Sequence, residues 1–310
     1  MTKKISIIVP CFNEQESIPL FYQAVNALIP RLRNYSLEYI FIDDGSSDNT
    51  LPELQDLNEK NPQNVHFVSF SRNFGKEAAL YAGLKTATGD LVAVMDADLQ
   101  DPPEQLPLML SGILDEGYEI VGTRRVNRKG EPPIRSFFSI LFYKLMNKIS
   151  DVPMVQGVRD YRLMTRKVVN SILEMGEYNR FSKGIFNWIG FKTKYLEYEN
   201  RDRVAGNTSW SFWKLFRYSI EGIVNFSDVP LLFASFIGFF TFALSILFML
   251  FIIARKIFYG GSVDGWASLV TIIVGLGGLQ LLCLGIVGKY IGNIYLEVKN
   301  RPLYIVKEEK

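Results

Sequence analysis

The chain has 310 residues, of which 48% are hydrophobic and 21% charged, with a formal net charge of +2. That length suits one large globular unit or two smaller ones, and the net charge by itself assigns no partner. Two cysteines, Cys11 and Cys283, exclude a disulfide framework or a zinc-binding spacing, and the sole histidine, His66, reads as a strand residue, which argues against histidine-based catalysis.

The apolar run before Pro10 is too short for a signal peptide, so nothing is expected to export the first 228 residues. Ile5 to Val9 and Glu38 to Ile42 are runs of strand length, and Glu16 to Leu32 between them carries helix-like apolar spacing. This predicts a βαβ beginning and a largely parallel, buried sheet. Both strands end in polar residues: Pro10-Cys11-Phe12-Asn13-Glu14, and Asp43-Asp44-Gly45-Ser46-Ser47-Asp48-Asn49-Thr50. Open α/β sheets bind ligands beyond such carboxyl ends. Asp48 and Thr50 read as capping and turn residues. Capping explains only one of Asp43 and Asp44, which leaves the other to accept from a base N–H or a ribose hydroxyl.

Val65 to Phe70 predicts a third strand. Gly75-Lys76 follows, but without the first glycine and the Ser/Thr of a phosphate loop. Ala78 to Ala87 reads as a helix. Val92 to Met95 is then a strand that Pro102-Pro103 forbid from continuing. In an extended backbone, side chains at i and i+2 point the same way. Asp96, Asp98 and Gln100 are therefore expected to present oxygen to one point, a hard-cation site suited to magnesium or manganese. Glu119 to Gly122 adds a fifth strand, and five strands alternating with helices predict a doubly wound α/β domain.

The character changes at Arg124. A basic cluster of Arg124, Arg125, Arg128, Lys129 and Arg135 precedes an aromatic run, Phe137 to Leu145. A membrane-surface helix near 134–149 is predicted, with a solvated charge run as the alternative. Nucleic acid explains these charges less well, since no binding motif accompanies them. Asp160 lies between Arg159 and Arg162, and Arg203 precedes a glycine-containing loop; the residues alone leave both open between a surface role and a functional one. Trp210 to Phe226 predicts a second interfacial amphipathic helix over 209–228. Val229 to Ala254 and Ala267 to Gly288 hold no charged residue and exceed the roughly 20 residues that cross a bilayer core, so 229–288 is expected to be a two-helix transmembrane region. Lys214, Arg217, Lys289, Lys299 and Arg301 flank its outer ends against Arg255 and Lys256 between the spans. Both termini are thus expected in the cytoplasm, with 289–310 as a cytoplasmic tail of an inner or plasma membrane protein. Ala234 with Gly238, and Gly288 with Gly292, have small-xxx-small spacing that suits helix packing within a subunit or in a homo-oligomer, although ordinary glycine usage explains it equally.

Five motifs occur in a telling order: Pro10-x-Phe12-Asn13-Glu14, Asp43-Asp44-Gly45-Ser46-x-Asp48-x-Thr50, Asp96-Ala97-Asp98-Leu99-Gln100-Asp101-Pro102-Pro103, Gly122-x-Arg124 and Asp160-Tyr161-Arg162-Leu163-Met164. Together they resemble the family 2 GT-A glycosyltransferases. The two C-terminal spans narrow the resemblance to the polyisoprenyl-phosphate glycosyltransferases, which include bactoprenol glucosyltransferases and dolichol-phosphate mannose synthases. The resemblance implies a Rossmann-like, mostly parallel GT-A domain over 1–208. It also implies inverting transfer of a hexose from a nucleotide sugar to the phosphate of a long polyprenol. By match of motif, Asp96 and Asp98 would hold a divalent cation (Mg2+ or Mn2+) and the donor diphosphate, with Gln100 as a further ligand. Pro10, Glu14, Asp43 and Asp44 would line the nucleoside pocket, and Arg203 would reach the diphosphate. Arg124, Arg135 and Ser139 would grip the acceptor phosphate. Asp160 corresponds to the proposed catalytic base, and Asp98 stands with it among the catalytic residues. After Arg203 the family commonly has Ser-Lys-Tyr following the glycine, whereas here Gly206 precedes Asn207-Thr208-Ser209-Trp210, so no later residue is carried over.

The two-span architecture and the Asp-Tyr-Arg-Leu-Met segment look more like bacterial UDP-sugar enzymes. UDP-glucose is therefore expected as donor, ahead of UDP-N-acetylglucosamine and GDP-mannose, with undecaprenyl phosphate as acceptor. Two spans are too few for a translocation path, so a separate flippase is expected to move the product. A processive polysaccharide synthase is disfavoured by the lack of a Gln-x-x-Arg-Trp motif and a multi-span channel. A catalytically silent nucleotide-sugar-binding scaffold is disfavoured by the full acidic set and Asp160.

Overall fold

The computed structural model describes residues 3–126, 133–150, 154–199, 212–259 and 265–310, with only the backbone at 133–139, 141, 212–218, 256, 259 and 266–268. Two compact units emerge, Met1–Gly222 together with Arg301–Lys310, and Ile223–Asn300.

In the first unit the apolar runs become strands β1 (Lys4–Cys11), β2 (Ser36–Asp43), β3 (Val65–Phe70), β4 (Leu91–Val94) and β5 (Ile120–Arg125). Three more join them: β6 (Val158–Thr165), β7 (Thr193–Tyr198) and β8 (Val306–Glu309). Among the described residues they form one sheet in the order β7-β5-β6-β4-β1-β2-β3-β8. Neighbours β3, β2, β1 and β4 run parallel, as do β5 and β7. β6 enters antiparallel between β4 and β5, and β8 lies antiparallel on β3. The sheet is thus the mostly parallel, Rossmann-like one expected, with two reversed strands that the apolar pattern did not reveal.

Ile5, Ile7, Ile8 and Val9 are fully buried, as are Ile40, Phe41 and Ile42. Runs covered on both faces belong to central parallel strands, and each such side chain contributes about 1.5–3 kcal/mol through burial. One face packs on α1 (Ser17–Asn26), α2 (Thr50–Lys60) and α4 (Leu106–Leu114), with Ile18, Phe21, Leu54, Met109 and Leu110 against Ile5, Ile7, Val9 and Phe41. The opposite face carries α3 (Lys76–Thr86) across β1 and β2. There a Cβ on Gly83 would stand 2.2 Å from Ile8 Cγ2, so only glycine lets this helix lie so low. The close approach sets Lys76, the first residue of α3, over the carboxyl edge of the sheet.

Register does the rest. Val94 pairs with Arg162 in the antiparallel β4/β6 ladder, which brings the chain that leaves β4 beside the start of β6. The chain also crosses from β3 past β1 to reach β4, which opens the crevice between β1 and β4 where such folds bind ligands.

Helix α5 (Pro133–Ile149) forms where a surface helix was expected, and α6 (Arg166–Glu174) and α7 (Ser182–Trp188) follow β6. The expected tail over 289–310 is corrected in part. Its first half continues the second long helix, and its last residues are strand β8, part of the first unit rather than the second.

After α8 (Phe212–Phe226), the second unit holds α9 (Val229–Tyr259) and α10 (Trp266–Lys299). Within them Val229–Arg255 and Leu269–Lys299 are long and apolar enough to cross a membrane, and their most apolar stretches stay exposed among the described residues. Phe236, Phe239 and Phe258 stand two-thirds or more exposed, which suits a lipid surround and not water. Tyr290 donates to the Ser227 carbonyl at 2.7 Å, and Asn293 donates to Asn225 at 3.1 Å. Of the small residues singled out, Ala234 is buried, whereas added Cβ atoms on Gly238, Gly288 and Gly292 would meet nothing. Among the described residues those glycines make no close helix contact.

Gly83→Val is expected to destabilise the first unit by about 1–3 kcal/mol through overpacking against Ile8, read as a lowered denaturation midpoint. An unchanged or higher midpoint would contradict the close approach of α3.

Candidate active site

The carboxyl edge of the sheet gathers most of the residues that the sequence pointed to. At the end of β2, Asp43 is buried; its Oδ1 accepts the Ser46 N–H at 3.0 Å and its Oδ2 the Ser69 hydroxyl at 2.7 Å. Asp44 accepts the Phe74 N–H at 2.6 Å and the Gly75 N–H at 2.9 Å. Both acids therefore brace loops at the strand end. Gly45, at φ +66°, turns the chain where a Cβ would stand 2.4 Å from the Arg72 carbonyl carbon. Asp48 accepts the N–H of Thr50 at the start of α2, as read, while the Thr50 hydroxyl accepts the Glu14 N–H at 2.8 Å. Glu14 Oε2 takes the Ser17 hydroxyl at 2.6 Å, and Pro10 lies in β1 opposite Ile42. The β1 and β2 loops are thus stitched into one wall.

The acidic stretch after β4 departs from expectation. The strand stops at Val94, residues 97 and 98 turn, and Leu99 takes φ +55°. The pleat that would aim Asp96, Asp98 and Gln100 at one point is absent. Asp98 is 5% exposed and accepts the Gln100 N–H at 3.1 Å, while Gln100 Oε1 faces Arg159 Nη2 at 3.4 Å. Arg159 also donates to Asp101 at 3.1 Å, and the Tyr198 hydroxyl donates to the same Asp101 oxygen. Burial pushes the Asp101 carboxyl up, against the pull of Arg159.

Asp96 remains partly open, and what meets it is an ammonium. Lys76 Nζ stands 2.7 Å from Asp96 and 2.6 Å from Asp160. Of the two roles the residues leave open for Asp160, the structure does not show the surface one: its carboxylate is mostly buried and pairs with Lys76. Burial alone would raise its pKa, but Lys76, Lys183 and Arg162 hold it well below the usual carboxylate range. Burial likewise opposes the charge on Lys76, and the two carboxylates overcome it and push its pKa up. The N-terminus of α3 adds positive potential at the same point. Arg162, 3% exposed, stacks on the Phe186 ring at 3.5 Å and donates to the Asp160 and Arg159 carbonyls, which stiffens the start of β6.

Arg124 pairs with Val158 in the β5/β6 ladder, donates to the Gln156 carbonyl at 3.1 Å and keeps a partly exposed guanidinium. Arg135 and Ser139 lie in α5, where the backbone alone is described, and Arg203 lies outside the described residues. From sequence alone Lys76, Arg159 and Asp101 have no role of their own in the site, and Tyr198 is not named. The signal for Lys76 was present as a lysine just after a glycine at a helix start, but it matched no complete phosphate loop.

Among the described residues no three His, Cys, Asp or Glu side chains stand close enough to cage a metal ion. The hard oxygens of Asp96 and Asp98 still fit magnesium or manganese, because such ions take one or two carboxylates and fill their remaining positions with water and substrate phosphate. A half-open acid beside a basic cluster is suited to an anionic substrate that brings its own oxygens.

The profile of Glycosyl transferase family 2 matches residues 6–173, which run from within β1 past the end of β6 and include all of these acids. The chain belongs to that family and is a glycosyltransferase. A bactoprenol glucosyl transferase of Shigella phage SfII is 43% identical over 305 residues, covering 98% of each chain. A prophage bactoprenol glucosyl transferase homolog of Escherichia coli strain K12 is 42% identical, covering 99% of each. Among solved structures, glucosyl-3-phosphoglycerate synthase from Mycobacterium tuberculosis overlaps 72% of this chain and 78% of its own, at 19% identity and a TM-score of 0.49.

Burial raises Asp44 to about 6 although the Phe74 and Gly75 N–H groups pull it down. The folded chain then binds a proton that the unfolded chain has released, so this group's contribution to stability declines as pH rises from about 4 to about 6. Asp44→Asn is expected to lose that decline, read as thermal midpoints of wild type and variant across the window. A difference between them that stays flat with pH would contradict the raised value.

Proposed function

We propose that the protein transfers glucose from UDP-glucose to the phosphate of a polyprenol, giving a polyprenyl monophosphate sugar and UDP, with inversion at the sugar carbon. The observation that carries this is the union, in one chain, of a half-open acidic edge bridged by Lys76 with two helices long and apolar enough to span a bilayer. Relatives named as bactoprenol glucosyl transferases align over both parts.

Pro10, Glu14, Asp43 and Asp44 form the wall against which the nucleoside lies. Asp96 and Asp98 would hold Mg2+ or Mn2+, which when bound neutralises the charge that develops on departing UDP. Arg203 assists on the diphosphate. Arg124, Arg135 and Ser139 receive the acceptor phosphate. That phosphate is already anionic near pH 7, so attack on the sugar carbon does not depend on a strong base. Asp160, held ionised by Lys76, is a poor proton acceptor, and it orients the acceptor against the donor instead.

The helix pair anchors the chain in the bilayer, where a polyprenyl phosphate lies. Because Arg301–Lys310 belongs to the same unit as the residues before the helices, the chain leaves and rejoins one body, which suits two crossings. The lysines and arginines at the outer ends support a cytoplasmic location for that body. Moving the product across the membrane is assigned to a separate protein, because the two membrane-length helices among the described residues are few for a translocation path.

Membranes or purified enzyme given labelled UDP-glucose, undecaprenyl phosphate and Mg2+ or Mn2+ are expected to yield one labelled lipid carrying a single sugar, and chelation is expected to abolish it. Asp160→Asn is expected to lower kcat by at least about 100-fold while donor KM moves by no more than about threefold. A lipid product formed equally under chelator, or near-normal turnover by Asp160→Asn, would overturn the corresponding part of this mechanism.

A further inference from the structure

The last ten residues reach the active-site wall from the far side of the sheet. β8 runs antiparallel to β3, so it enters the sheet at the same carboxyl edge where the acids collect, with Val306 opposite Phe70. Just before it, the Ile305 carbonyl accepts the Ser71 N–H at 2.9 Å, and the Tyr304 ring stacks on Phe70 with centroids 4.8 Å apart and planes 18° from parallel. Phe70 in turn meets Phe74 edge-on at 5.8 Å, and the Arg72 guanidinium covers Phe74 at 4.2 Å. These contacts enclose both ends of the short loop from Ser71 to Gly75. Its Phe74 and Gly75 N–H groups are the ones that Asp44 accepts, and its next residue is Lys76, on Asp96 and Asp160. One strand residue further back, Ser69 holds Asp43 and pairs with Glu308, which itself accepts from Gln55 of α2.

We propose that Tyr304 is a positioning residue of the transferase site: the segment that follows α10 clamps the Ser71–Gly75 loop and thereby fixes the Asp44 wall and the Lys76 bridge. The clamp is built from chain that follows the membrane-length helices, so a donor pocket whose other parts precede them is completed only when the C-terminus docks. The proposal rests on the donor lying against Asp44, as proposed above. Its structural half stands without that.

The test uses the full-length protein in detergent or nanodiscs as Tyr304→Ala and Tyr304→Phe, with two readouts: amide hydrogen exchange resolved over residues 71–75, and kcat and KM with UDP-glucose. Loss of the aromatic stack is expected to speed exchange at Phe74 and Gly75, and to raise donor KM, by about tenfold in Tyr304→Ala, with exchange in β1 unchanged. Tyr304→Phe keeps the ring and is expected to stay within about twofold of wild type on both. Should Tyr304→Ala not fold, Tyr304→Leu, which retains bulk without the ring, is read by the same criteria. Unchanged exchange at Phe74 and Gly75, or an increase spread equally over β1, overturns the clamp. If wild type transfers nothing from UDP-glucose, the donor assignment fails, and the exchange readout still decides the clamp.

Discussion

Lys76 sits where two carboxylates from distant parts of the chain meet, and the edge of the sheet is arranged about that ammonium. Asp96 comes from the turn after β4 and Asp160 from the start of β6, each within 2.7 Å of the same nitrogen. Two acids this close repel unless a cation lies between them. At the separations seen, each attraction amounts to about 6 kcal/mol in a medium of effective dielectric near 20, most of it offset by the cost of drawing three charged groups out of water. What the bridge supplies is therefore geometry more than stability. It ties α3 to two strands and leaves Asp160 ionised and oriented.

Direction of entry explains why these groups share an edge. Parallel strands bring their carboxyl ends together, which gathers Asp43, Asp44 and Asp96 without further help. An antiparallel strand brings its beginning there instead. β6 delivers Asp160, Arg159 and Arg162 in this way, and β8 delivers Tyr304 and Ile305. The reversed strands are thus the means by which late parts of the chain reach a site built by early ones. Gly83 completes the arrangement from below, since its missing side chain lets α3 rest on Ile8 and hold Lys76 at the right height.

Local pattern made the parallel half of this legible. Continuous apolar runs marked β1 to β5, polar residues at their ends marked the functional edge, and two uncharged stretches marked the long helices of the second unit. The pairing of β6 was not legible, because Gly157 to Met164 carries three charged side chains and gains its strand character from neighbours far along the chain. β8 was hidden for the same reason, being short and charged and stabilised by β3. At the site, the acids were visible and their geometry was not. A period-two backbone was assumed through Gln100, whereas the strand ends at Val94 and Leu99 adopts a left-handed conformation that sequence periodicity does not announce. Lys76 is not legible in the sequence, because its role depends on what packs above it and it matches no complete phosphate-binding motif.

The most direct measurement is the anomalous X-ray signal of manganese in crystals of the enzyme grown with UDP. A peak is expected beside the carboxylates of Asp96 and Asp98 at the β1/β4 crevice, with the Lys76 ammonium still on Asp160. A peak remote from Asp96, or UDP bound away from the Asp43 and Asp44 wall, would contradict it.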